Sequence, residues 1–352
     1  MLIKKVVVKH TKEKNEFVME EELTKIDLGE HEVLVKILCC SVSSVSDQVL
    51  KRWHSHGNEE FIYPFGREIS GLVQAVGSCV TLCKLESNVA GVIPLDSTYS
   101  GCANFCVMSE FDLVQKPESV SHLDASCSIG DGVKAYTALF YQAKLLSNET
   151  ILIFGASKGY GILAVQLAKS LRAKVIVIGA SDEEMEFFKS MQPKPDCIID
   201  MRTKNCDLIN ICMEETGGIG IDCIIDDGVE MYSDEFKEAK TAFKFLPSKH
   251  ELITCLAAGG RWITTQSDLQ VDPPDSETLF LKCASIHFLF EDVWTLSRSA
   301  QGKYLHILND IMAKVEAGTL RPTVHHTVFL DDCVDNLSHI LDSTIGKVVI
   351  KI

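Results

Sequence analysis

Two textures of hydrophobic patterning divide the chain. From residue 1 to about 125, short runs rich in β-branched residues alternate apolar and polar positions, as half-buried strands do. Residues 32–42, 71–76, 89–94 and 105–108 are predicted strands of this kind, and Gly66, Gly71 and Gly77 sit where a compact barrel turns its corners. From Ser126 onward, apolar runs alternate with segments of helical spacing. A strand over 151–154 leads into a helix with Leu163, Leu167, Ala168 and Leu171 on one face. A strand over 174–179 leads into a charged helix from Asp182. Strands over 197–200 and 220–225 follow, with another over 261–265 after the Gly259-Gly260 turn. Repeated β-α units require a parallel sheet with helices on both faces. The tail is predicted to form a helix over 329–341 and a strand over 347–352.

The stretch Ile151 to Gly161, ILIFGASKGYG, has the strand, glycine loop, helix grammar of a dinucleotide site. Glycines let the backbone turn tightly and approach a pyrophosphate, while N–H groups at the helix start face the phosphates. The candidate cofactor-binding residues are therefore Gly155, Ala156, Ser157, Lys158, Gly159, Tyr160 and Gly161, with Ser181 after the next strand. Against Gly-x-Gly-x-x-Gly the matching positions are Ala156, Lys158 and Gly161. Lys158 puts a side chain where the pyrophosphate should approach; its ammonium can pair with phosphate, or it can be an ordinary solvated loop lysine. In Gly179-Ala180-Ser181-Asp182-Glu183-Glu184, carboxylates stand where a 2′-phosphate would lie and would repel it. Ser181-x-x-Glu184 also reads as a helix capping box.

Composition narrows the function classes. The 352 residues suffice for two domains, and 34 Lys+Arg against 49 Asp+Glu give a formal net charge of −15. That balance disfavours nonspecific nucleic-acid binding and anionic membrane surfaces. The N-terminus lacks the apolar core of a signal peptide, and no run suits a membrane span, so a cytoplasmic location without membrane insertion is expected. The 14 cysteines show no framework and read as reduced thiols. Cys79 with Cys83 and Cys102 with Cys106 lack the Cys-x-x-Cys spacing of a structural zinc lobe. His54 and His56 lie in a predicted loop. Asp226-Asp227-Gly228 reads as a strand end and turn rather than a catalytic carboxylate pair, and Phe236, Ala239, Phe243 and Leu246 fall near one helical stripe of a long 232–249 connection, which packs on its own sheet or offers a partner surface.

These residues together resemble the zinc-independent quinone oxidoreductase (zeta-crystallin-like) branch of the medium-chain dehydrogenase/reductase superfamily. Residues 66–77 are similar to its barrel signature, 131–139 to its interdomain helix, 165–169 to the helix after the phosphate loop, and 346–351 to its C-terminal strand. Residues 272–276 with 279–282, and 302–305, narrow the likeness to the animal quinone oxidoreductase-like branch. The resemblance implies an α/β fold: a GroES-like β-barrel catalytic domain (1–125, completed by 322–352) and a Rossmann doubly wound parallel-sheet domain (126–321), with nicotinamide and substrate meeting in a cleft. It implies NADPH or NADH as cofactor and hydride transfer to a quinone or related carbonyl, and no zinc, because Arg67 replaces the zinc-binding histidine. Ser43, Ser46, Asp47 and Arg67 are the candidate catalytic-cleft residues; relatives carry Asn-Pro-x-Asp where this chain has Ser43-Ser44-Val45-Ser46. The resemblance further implies a homodimer through Rossmann edge strands, for which residues 285–290 are the candidate. A second class of function it implies is a catalytically weakened subunit of a multi-protein complex on early endosomes, linked to Rab5 and messenger RNA.

Overall fold

The computed structural model describes residues 1–12, 14–55, 58–202, 207–230, 246–341 and 345–352, with the backbone alone for 45–47 and 338–340. His56, and Phe236, Ala239 and Phe243 of the long connection, lie outside the described residues. The chain forms two compact units, one of Met1–Val133 with Glu291–Ile352 and one of Lys134–Phe290; the sequence placed the corresponding divisions at 125/126 and 321/322.

In the first unit come β1 (Leu2–His10), β2 (Asn15–Leu23), β3 (Glu32–Val42), α1 (Ser44–Ser55), β4 (Phe61–Pro64), β5 (Glu68–Val76), β6 (Asn88–Val92), β7 (Phe105–Ser109) and β8 (Leu113–Gln115), followed by α2 (His122–Tyr136), which crosses the division. The second unit continues with β9 (Thr150–Ile153), α3 (Gly159–Ser170), β10 (Lys174–Gly179), α4 (Asp182–Ser190), β11 (Cys197–Asp200), α5 (Leu208–Glu215), β12 (Ile221–Ile225), α6 (Lys249–Cys255), β13 (Leu256–Thr264), α7 (Pro273–Leu281) and β14 (Ser285–Phe288). The chain then returns to the first unit with α8 (Val293–Leu296), α9 (Gln301–Glu316), β15 (Val324–Phe329), α10 (Cys333–Ile340) and β16 (Lys347–Lys351).

The first unit is sheet-rich. Strands run in the order β15-β16-β3-β5-β6-β8, with β7 also paired to β3, beside a three-stranded sheet β2-β1-β4. β3 is buried along nearly its whole length because it has neighbours on both edges and core on one face: Val33, Val35, Ile37 and Cys40 pack with Val6, Val8, Tyr63, Phe65 and Ile69. β16 pairs antiparallel with β3 and parallel with β15. The predicted tail helix starts four residues later than expected, since Phe329 ends β15 and α10 begins at Cys333.

The second unit is a six-stranded sheet in the order β11-β10-β9-β12-β13-β14, every described pairing parallel. Both faces are covered, so the strands read as continuous apolar runs: Leu152, Ile176, Ile224 and Trp262 are fully buried. Gly259-Gly260 is not a turn before a strand. It lies inside β13, where the pairing with β12 slips between Ile221 and Cys223 and Gly259 takes φ +74°. The glycines there make a bulge. β14 ends the sheet.

Candidate functional site

The sheet order places a crevice. The chain runs outward from β9 to β10 and β11, then returns to the other side of β9 for β12, so the order reverses between β9 and β12. At such a switch point the carboxyl ends of two neighbouring strands diverge and leave room for a ligand. β9 ends there in the Gly155–Gly161 loop. Gly155 has φ +62°, which a side chain would strain, and Lys158 N donates to Gly155 O at 3.0 Å to close the turn. A Cβ on Gly161 would stand 2.1 Å from Gly155 O, so only glycine lets α3 start this close to the strand end. Lys158 is the N-cap of α3 and supplies no side-chain cap, leaving the helix start to other acceptors.

Lys158 is not a solvated loop lysine. Its ammonium is ion-paired with Asp227, with the two side chains 19% and 13% exposed. Tyr160, buried beside it, has its hydroxyl 3.4 Å from both Asp226 O and Asp227 Oδ1, and Lys134 Nζ stands 4.6 Å above the Tyr160 ring. Asp226 is a fixed strand end, as its sequence predicts. Its buried carboxylate accepts from Trp262 Nε1 at 2.7 Å, Gly228 N at 3.0 Å and Thr265 N at 3.1 Å. Burial raises its pKa, and those donors only partly offset the effect.

The acidic segment after β10 differs from its expected role. Ser181 caps α4 by accepting from Glu184 N at 3.2 Å. Glu184 does not face outward against a phosphate; it is buried, and its carboxylate accepts from Ser157 Oγ at 2.6 Å and Ala180 N at 2.9 Å. The expected capping box is thus shifted one residue back, and Glu184 instead anchors the Gly155–Gly161 loop. Outside, Arg202 after β11 pairs with Asp200 and Asp182.

In the sheet-rich unit, Arg67 is buried and grips Asp292 with two guanidinium nitrogens while Nε donates to Ile93 O at 2.7 Å. Burial works against its charge, and Asp292 outweighs it, so the pKa stays above the ordinary value. Beside it, Lys347 Nζ pairs with Glu68 and lies 3.1 Å from Asp131 Oδ2, and Ser41 Oγ donates to Glu68 at 3.2 Å. Ser43 lies between β3 and α1. Ser46 and Asp47 fall in the first turn of α1, and their side chains are not among those described. His54 sits on α1, not a loop, with its ring 6.4 Å from that of Tyr63. Among the described residues no three His, Cys, Asp or Glu side chains form a metal-binding group, and no helix is long and apolar enough to cross a membrane.

No protein-family model matches the chain. The mouse quinone oxidoreductase-like protein 1 is 39% identical over 319 residues, covering 90% of each chain. The chain belongs to the quinone oxidoreductase-like family of the medium-chain dehydrogenase/reductase superfamily. A llama quinone oxidoreductase is 26% identical over 332 residues, covering 91% of this chain and 89% of its own. Among solved structures, a NADPH:quinone reductase described as putative, from Bacillus thuringiensis, superposes with a TM-score of 0.80 at 20% identity, over 100% of this chain and 99% of that one. The fold class expected from the resemblance, a sheet-rich domain with a Rossmann-like parallel-sheet domain, is the observed one. For a quinone oxidoreductase-like chain, the residues that sequence reasoning missed are Asp227, Asp292 and Lys134. For Asp227 the sequence offered only an Asp-Asp-Gly strand end, with nothing to mark Lys158, 69 residues away, as its partner.

Proposed function

We propose that this chain is an NAD(P)H-dependent oxidoreductase of the quinone reductase type, reducing a quinone or a related conjugated carbonyl compound. The observation that carries the reading is the Gly155–Gly161 loop, with its left-handed Gly155 and its obligatory Gly161, at the switch point of a parallel sheet. That backbone fits a dinucleotide: it would hold the pyrophosphate against the start of α3, with Ser181 on the ribose side. A bound nicotinamide supplies the hydride. Glu184 holds Ser157, and so fixes the loop in the shape that receives the phosphates. Ser43, Ser46 and Asp47 keep the acceptor-side role that the family resemblance implies. Arg67 is given a positioning role, because its guanidinium is committed to Asp292 and Ile93.

A second reading is favoured by the Lys158–Asp227 pair: a subunit with weakened catalysis, serving a larger assembly. The proposed homodimer contact is residues 285–290 at the sheet edge, where Phe288 and Phe290 are exposed. Titration of the purified protein with NADPH and with NADH, read by tryptophan fluorescence, separates the two functions. Micromolar binding with turnover of a quinone supports the reductase. No quenching at millimolar cofactor sinks it.

A further inference from the structure

The switch-point crevice contains its own anion. β12 pairs with β9 so that Ile225 lies opposite Ile153, which carries Asp227 alongside Gly155 two residues further on. Asp227 lies directly over that glycine: a Cβ at Gly155 would be 3.0 Å from Asp227 Cγ and 3.2 Å from Oδ2. From the opposite wall Lys158 reaches across to the same carboxylate, and the Tyr160 hydroxyl stands 3.4 Å from its other oxygen. The lysine at the loop's central glycine position and the carboxylate at the end of β12 are therefore one feature. Together they bridge the gap through which a pyrophosphate would run.

We propose that Asp227 occupies the pyrophosphate subsite as an internal anion, and that the Lys158–Asp227 pair sets the affinity for dinucleotide. A ligand must part the pair before its phosphates can reach the start of α3. Once parted, Lys158 becomes a phosphate ligand, while Asp227 becomes a like charge beside the phosphates. This explains how one lysine can both obstruct and assist. It rests on the dinucleotide reading above.

The test is a cycle of Asp227→Asn, Lys158→Gly and the double variant, titrated with NADPH and NADH by tryptophan fluorescence. Trp262, bonded to the neighbouring Asp226, is a built-in reporter. Asp227→Asn removes the competing charge with little change of shape and is expected to tighten binding at least tenfold. Lys158→Gly alone is expected to weaken it, because Asp227 then faces the phosphates unneutralised; the double variant should fall between the two. Asp227→Ser serves as the second variant, and a thermal unfolding transition verifies that each variant is folded. If the parent protein binds and Asp227→Asn and Asp227→Ser bind equally or more weakly, the internal-anion proposal is overturned and the reductase reading stands. If no variant binds either nucleotide, both fall.

Discussion

Lys347 tests how dry the sheet-rich unit is. Its side chain is 1% exposed, and it neutralises Glu68, 7% exposed, with Asp131 3.1 Å away. Replacing it by Met keeps the volume of the stem but strands a carboxylate among apolar strands. Breaking a buried pair in this way costs about 3–5 kcal/mol. The cost depends on pH, and the sign follows from Glu68. Burial, against the pull of Lys347 and with the push of Asp131, raises its pKa to about 7. A carboxyl raised in the folded state contributes stability that is fully present below its unfolded value and is lost as pH rises through the folded one. With Lys347 gone the rise grows, so Lys347→Met should cost the full amount at pH 8 and distinctly less at pH 5.5, where Glu68 escapes by protonation. Lys347→Met combined with Glu68→Gln should recover most of the loss at pH 8. Urea unfolding followed by circular dichroism at the two pH values gives the measurement. A cost below about 1 kcal/mol at pH 8, or one that does not shrink at pH 5.5, would refute the claim that this cluster is sealed from water.

Three other outcomes are expected. Burial and the neighbouring Asp96 push Asp112 from 3.8 to about 7, so its contribution is lost as pH rises through that range. Asp112→Asn should therefore gain on the parent protein between pH 5 and pH 8, by roughly 2 kcal/mol after allowing for residual solvent contact; equal pH profiles of thermal unfolding would contradict it. Gly161→Ala places a methyl 2.1 Å from Gly155 O, a backbone atom, and should cost about 1–3 kcal/mol while abolishing nucleotide quenching; an unchanged melting temperature and affinity would show that the loop is not fixed. Phe288→Lys on the edge strand β14 should convert a dimer to a monomer in analytical ultracentrifugation, and a parent protein that is already monomeric at micromolar concentration would remove the proposed contact.

What was legible in the sequence was whatever depends on neighbours along the chain. The period-two and helical patterns located β9 with α3, β10 with α4, and β11, because strand and helix faces are written locally. Gly161 was legible because its requirement comes from within the seven-residue loop Gly155–Gly161. Partners far apart were not: Lys158 and Asp227 are separated by 69 residues, Arg67 and Asp292 by 225. Lys158 read as a phosphate ligand or a solvated lysine, Asp227 as part of a turn and Arg67 as a cleft residue, until the fold brought each its counterpart. Glu184 failed for a different reason. Its spacing from Ser181 satisfied a local rule, and the stronger attraction of the Ser157 hydroxyl, from another loop, drew the carboxylate inward.

The place of β16 governs the order in which the molecule can be made. Lys347 meets Glu68 across 279 residues of chain, and β3 receives β16 as its neighbour only after everything between has been synthesised. The stretch Lys134–Phe290, by contrast, is continuous and can complete its sheet while the first unit is still waiting. During that interval only the Cys39–Val42 end of β3, which β16 will cover, lacks its neighbour, because β5 and β7 already pair with the rest. Lesions in β16 should therefore be felt first as lost yield rather than lost activity.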